Sequence, residues 1–223
     1  MNLSQKLKRL FRKMELPGIM TYIAATMAVI FIGDIVTGYV LSDFLSFSRD
    51  NIIHDLQLWR IFTFLFIPTN YSPLWSIITI VFYHSIGRDI ESVWGSGNLT
   101  AYLLTGIILT IGGGFIGGYT TNLFLYLSLF CAYAALMPNN RFMMFFIIPV
   151  KAKYLAWADG VIMLGALVSG NLSVKLAVIA ALLVFLIFFG GDFLRPVANK
   201  WKHRDFIHEM RRSRIKKTGR RGE

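Results

Sequence analysis

Between residues 84 and 99 the chain reads HSIGRDIESVWGSGNL, setting Arg88, Asp89 and Glu91 directly after an apolar run before it breaks in Gly95-Ser96-Gly97. Clustered carboxylates beside a guanidinium are the material of a charge pair or a general acid–base site, and a serine between glycines is the sequence form of a nucleophile turn. A serine hydroxyl attacks only when a base accepts its proton, and no base is placed to serve Ser96. His84 ends the apolar run and reads as a packed histidine, while His54 is expected on the opposite side of the membrane, so the two make no metal constellation. The stretch reads instead as the closure of a helix: Arg88, Asp89 and Glu91 meet water and headgroups, and Gly95 and Gly97 let the chain turn.

Three further acids fall within apolar runs, where an ionisable group is costly and often functional. Asp34 is the most central of them and reads either as a residue facing a hydrophilic groove or as an end-of-helix acid near the outer interface. Asp159 follows Tyr154-Leu155-Ala156-Trp157 and reads as an interfacial residue or a partner for Lys151 or Lys153, and Asp192 as the helical partner of Arg195. Tyr154 and Trp157 suit an aromatic belt, with client contact as the alternative. The single cysteine, Cys131, sits in an apolar run, which excludes an intramolecular disulfide and any cysteine-based metal motif. No cofactor and no metal are expected.

The elements that must position these residues are membrane helices. The 223-residue chain is 55% hydrophobic, with a mean hydropathy of +0.57, and a bilayer crossing takes about 20 apolar helical residues. Spans are expected near 17–41, 73–87, 98–116, 122–137, 154–170 and 174–194, the first too long for a cleaved signal segment. Of the 23 Lys and Arg, five precede the first span, Arg88, Arg141, Lys151 and Lys153 lie in loops on that same side, and eleven follow from Arg195 onward. Only Arg49, Arg60 and Lys175 fall opposite, so the positive-inside rule puts both termini in the cytoplasm. This gives an all-α, multi-pass integral membrane protein with a basic segment at 1–15, a membrane domain at 16–194 and a basic tail at 195–223.

The connection at about 42–72 mixes Phe, Leu, Ile and Trp with charges and suits the membrane interface, Trp59 lying at headgroup depth and Arg60 reaching toward lipid phosphate. The fourth span is short, and before it Gly113-x-x-x-Gly117 and Gly114-x-x-x-Gly118 read as a close helix approach or simply as a turn. The tail reads as adhering to anionic lipid, with ribosomal RNA or another acidic partner as the alternative.

Trp59-Arg60-x-x-Thr63, followed by Gly87-Arg88-Asp89-Ile90-Glu91-Ser92-Val93-Trp94-Gly95-Ser96, resembles the rhomboid superfamily over roughly 58–194. The resemblance implies a six-helix bundle in which the Glu and Gly-Ser tie two helices together without doing chemistry. A rhomboid protease would need Gly-x-Ser-Gly at the start of the fourth span and a histidine in the sixth. The chain has about Leu123 in the serine's place, no histidine in SVKLAVIAALLVFLIFFGGDFL, and about Trp75 and Thr79 where the oxyanion donors would stand. This is the pattern of a non-proteolytic pseudoprotease. The second half is most similar to the Derlins: Pro138-Asn139 closes the fourth span, Ala152-Lys153-Tyr154-Leu155-Ala156-Trp157 follows, and Gly170-Asn171 closes the fifth.

The Derlin resemblance implies binding of membrane or misfolded protein clients and help in their dislocation and quality control, alongside a cytosolic protease or ATPase. The tail has no match to the motif that recruits that ATPase. Self-association as a homo-oligomer stays open. The competing expectation is an insertase-like factor that contacts ribosomes or a small transporter, suggested by Asp34, the short span and the basic tail. A hydrolase built on Thr120 or Thr121 lacks a base.

Overall fold

The computed structural model describes residues 16–69, 72–144 and 148–190, and of residues 142–144 and 148–149 only the backbone. The basic segment at 1–15, Asp192 and the tail at 195–223 lie outside the described residues. The chain is mostly helical. Its elements run α1 (Ile19–Thr37), α2 (Val40–Leu45), β1 (Phe47–Ser48), α3 (Arg49–His54), α4 (Arg60–Thr63), a 3-10 turn (Phe64–Phe66), α5 (Pro73–Trp94) and α6 (Ser96–Gly117). They continue through β2 (Tyr119–Thr120), α7 (Leu123–Leu136), β3 (Arg141–Met144), β4 (Ile148–Lys151) and α8 (Ala152–Ser169), then α9 (Leu172–Gly190). Four of these helices, α1, α6, α8 and α9, are long and apolar enough to cross a membrane.

The six expected spans all correspond to helices, with two differences of physical origin. The second continues past residue 87 to Trp94. Its last two turns are amphipathic, with Tyr83, Ile86, Gly87 and Ile90 buried at helical spacing and Arg88 exposed. Charge there marks a change of face and not an end. The first span breaks after Thr37, and Tyr39, in the left-handed region at φ 69°, turns the chain into the short α2.

Two small antiparallel pairs accompany the helices. Phe47 and Ser48 pair with Thr120 and Tyr119, joining the segment after α1 to the turn between α6 and α7. Arg141 to Met144 pair with Lys151 to Ile148 in a hairpin between α7 and α8.

Packing centres on α7. The most extensive helix contact joins α1 to α5, and α5 and α6 then both pack on α7, which α8 covers from another side. The face of α6 carrying Gly113 and Gly117 meets α9 closely. A methyl group on Gly117 would sit 2.8 Å from the Ser173 Cα, and the Ser173 hydroxyl donates to the Gly117 carbonyl at 2.6 Å. Gly118, at φ +88°, ends α6 in a conformation that side-chain-bearing residues rarely adopt. A division after Phe185 sets the chain apart into two units, the described part of the second being Leu186–Gly190.

Candidate functional site

The Gly87–Glu91 stretch is a helix junction. Gly87 faces Met20 so closely that an added Cβ would lie 2.1 Å from the Met20 Cγ. One turn further on, a Glu91 carboxylate oxygen accepts from the Gly18 N–H at 2.8 Å, at the start of α1. A carboxylate at a helix N-terminus satisfies a donor that the helix itself cannot and opposes the positive end of its dipole. Glu91 therefore meets the backbone of α1, where water and headgroups were expected, while Arg88 is exposed. Gly95, at φ +85°, separates α5 from α6, and Ser96 is the first residue of α6.

On the side expected to face away from the cytoplasm, Asp34 and Arg60 are both internal. Asp34 is 2% exposed, and its carboxylate accepts from the Ser42 N–H at 2.8 Å and from the Ser42 hydroxyl. It caps α2 from the preceding helix, since Tyr39, at the capping position, makes no such bond. A hydrophilic groove does not reach it. Arg60 also departs from expectation: instead of extending to lipid phosphate it is buried, donating to the Asp43 and Ser46 carbonyls at 2.8 and 2.7 Å and to Gln57 Oε1 at 2.6 Å. The carbonyls at the end of α2 offer the acceptors that a buried guanidinium requires. Trp59 remains partly exposed, its ring 5.2 Å from that of Phe44. The 42–72 segment thus has a packed inner face, with Phe47 edge-on to Phe64 and Phe115, and an apolar outer face including Ile53, Leu58 and Phe62.

Between this segment and the start of α7 lies a cavity of about 300 Å³, lined by residues including Ser42, Asp43, Ser46, Thr120, Thr121 and Asn122. Asn122 is buried and donates to the Leu65 and Ile67 carbonyls at 2.9 and 2.8 Å, and the Tyr126 hydroxyl donates to Leu65 at 2.7 Å. The Thr120 hydroxyl is buried and has no hydrogen-bond partner among the described residues. No histidine is among the described residues lining the cavity.

α7 itself carries the candidate binding surface. Of its 14 residues, all are buried except Leu136 at its end and one stripe at four-residue spacing, Leu123, Leu127, Cys131 and Ala135, which is partly exposed. Where Leu123 and Leu127 sit, Met163, Ala166 and Leu167 of α8 pack alongside, around Phe124. Asp159 precedes Met163 by one turn and so continues the inward face of α8 to the level of Cys131. It interacts electrostatically with both Cys131 and Tyr83 of α5. α5 and α8 each pack on α7 without packing extensively on each other. They flank α7 as the walls of a shallow groove whose floor is the partly exposed Cys131 and Ala135, Leu123 and Leu127 being packed against α8 and α9.

No protein-family model matches the chain, and neither the curated proteins nor the solved structures gave a match. Function is therefore argued from this geometry.

Asp159 makes no ion pair with Lys151 or Lys153, contrary to one expectation for it. The only ion pair among the described residues joins Arg49 to Asp50 at 3.4 Å. The Lys153 ammonium lies 4.9 Å from the centre of the Tyr154 ring, and Tyr154 and Trp157 (77% exposed) both face outward. Of the charged residues singled out from sequence, Asp159 reaches the groove, and Cys131 and Leu123 lie on the stripe itself. The stripe on α7 and its neighbour Tyr83 escaped notice because α7 is apolar on every face, so no contrast of polarity marks the open one. No group of three or more His, Cys, Asp or Glu suited to a metal occurs among the described residues.

Proposed function

We propose that this chain is a non-proteolytic rhomboid-like membrane protein, nearest in character to the Derlins, that binds membrane or misfolded protein clients and assists their dislocation and quality control. In this reading all six helices α1, α5, α6, α7, α8 and α9 belong to the membrane bundle, and both termini are cytoplasmic.

The observation that carries the reading is the partly exposed line through Cys131 and Ala135, continuing the packed Leu123 and Leu127, on a short helix that is otherwise largely buried. A helix too short to span about 30 Å of hydrocarbon, open along one line between two longer walls, offers a client helix an apolar floor under a thinned bilayer. The floor is apolar, a cysteine and an alanine beside two leucines, and suits the binding of a helix. The Glu91–Gly18 and Gly87–Met20 junction supports the bundle without chemistry.

The test is reconstitution of the full chain in liposomes with single-span reporters and a photoreactive residue in place of Leu127. Capture of reporter without cleavage is expected. Serine-directed cleavage of the reporters, or capture of lipid alone, would overturn the reading.

A further inference from the structure

Asp159 is a carboxylate in an apolar helix, about 10 Å along α8 from Ala152 at the usual 1.5 Å rise. Its face is settled by the register of α8, because Met163 and Leu167, one and two turns on, pack toward α7 and α9. Tyr83 of α5 and Cys131 of α7 are near enough to interact with it electrostatically, and both are neutral donors. It has neither a hydrogen bond nor an ion pair among the described residues, and the nearest cations in sequence, Lys151 and Lys153, do not meet it. An uncompensated acid within a membrane helix is costly, and such residues pair with a cation when one is at hand.

We propose that the groove selects client transmembrane helices that carry a lysine or arginine at the level of Asp159. This rests on the client-binding reading above and adds to it a chemical class of client. A basic side chain within a span is itself costly in lipid. The groove therefore offers such a helix a counter-charge, while the partly exposed Cys131 and Ala135 receive its apolar face. An all-apolar helix gains only the floor and has no advantage over lipid, since lipid tails are as apolar as leucine.

The experiment uses the full chain in bilayers with a photoreactive phenylalanine at Leu127 or, separately, at Ala135, and single-span clients identical except for one lysine or leucine at the level of Asp159. Lysine-bearing helices are expected to be captured about tenfold more than the leucine version, a charge pair at this depth being only weakly screened. Asp159→Asn, close to isosteric, is expected to remove the preference, the lysine and leucine helices then being captured to the same extent. Asp159→Lys is expected to transfer the preference to a client with aspartate at that level. Equal capture of the two helices by the wild-type chain, or a preference that survives Asp159→Asn, overturns the charge selection and leaves the groove standing. No capture of either helix from both probe positions overturns the groove and the selection together.

Discussion

Replacing Gly87 by alanine tests the junction that orders the first two long helices. The added Cβ would lie 2.1 Å from the Met20 Cγ and 2.3 Å from the Met20 Cβ, whereas carbon atoms rest at about 3.5–4.0 Å. The Met20 Cβ is fixed by its backbone, so a change of rotamer cannot clear it, and α1 must move away from α5. Overpacking of this kind costs about 1–3 kcal/mol. Moving α1 also loosens the Glu91–Gly18 hydrogen bond, and bonds to charged groups contribute about 1.5–3 kcal/mol. Better helix propensity offsets about 1 kcal/mol of this. The expected net destabilisation is about 2–4 kcal/mol, or roughly 30- to 700-fold in the unfolding constant.

The assay is equilibrium unfolding of the purified chain in mixed micelles with increasing denaturing detergent, followed by tryptophan fluorescence. Gly112→Ala serves as the control, since nothing lies within 4 Å of its added Cβ and it should gain about 0.5–1 kcal/mol. Met20→Gly, which removes the Cβ as well as the Cγ, should relieve the clash, so that the double variant loses at least about 1 kcal/mol less than the two single changes together. If Gly87→Ala behaves like Gly112→Ala, or the double variant is additive, Gly87 is not the contact that fixes α1 on α5.

Two further substitutions probe the frame of the groove by the same unfolding assay. Arg60→Lys keeps the charge but cannot serve Asp43, Ser46 and Gln57 together, and should cost about 2–3 kcal/mol; no change would mean that the guanidinium lies in water. Asn122→Ala removes both bonds that hold the Leu65 and Ile67 carbonyls to the start of α7. It should destabilise by about 1–3 kcal/mol, with faster hydrogen exchange at Phe64–Phe66, and unchanged exchange there would refute the role given to Asn122.

The sequence by itself determined the helical membrane architecture, because apolar runs long enough for a bilayer have no other use and mark their own position. The family resemblance also pointed to Glu91 and Gly95-Ser96 as residues that tie two helices together, and the structure adds Gly87, whose face meets Met20. Only the tertiary structure decided which way the polar groups face. Asp34 and Arg60 looked like groove or interface residues because a charge beside apolar residues is read as seeking water or headgroups. Each instead found backbone partners on α2, supplied by a turn at Tyr39 that no sequence period announces. The open stripe of α7 was illegible for the converse reason. When every face of a helix is apolar, its exposed line is set by which neighbours fail to cover it, and that follows from how α5 and α8 pack and not from any residue in α7 itself.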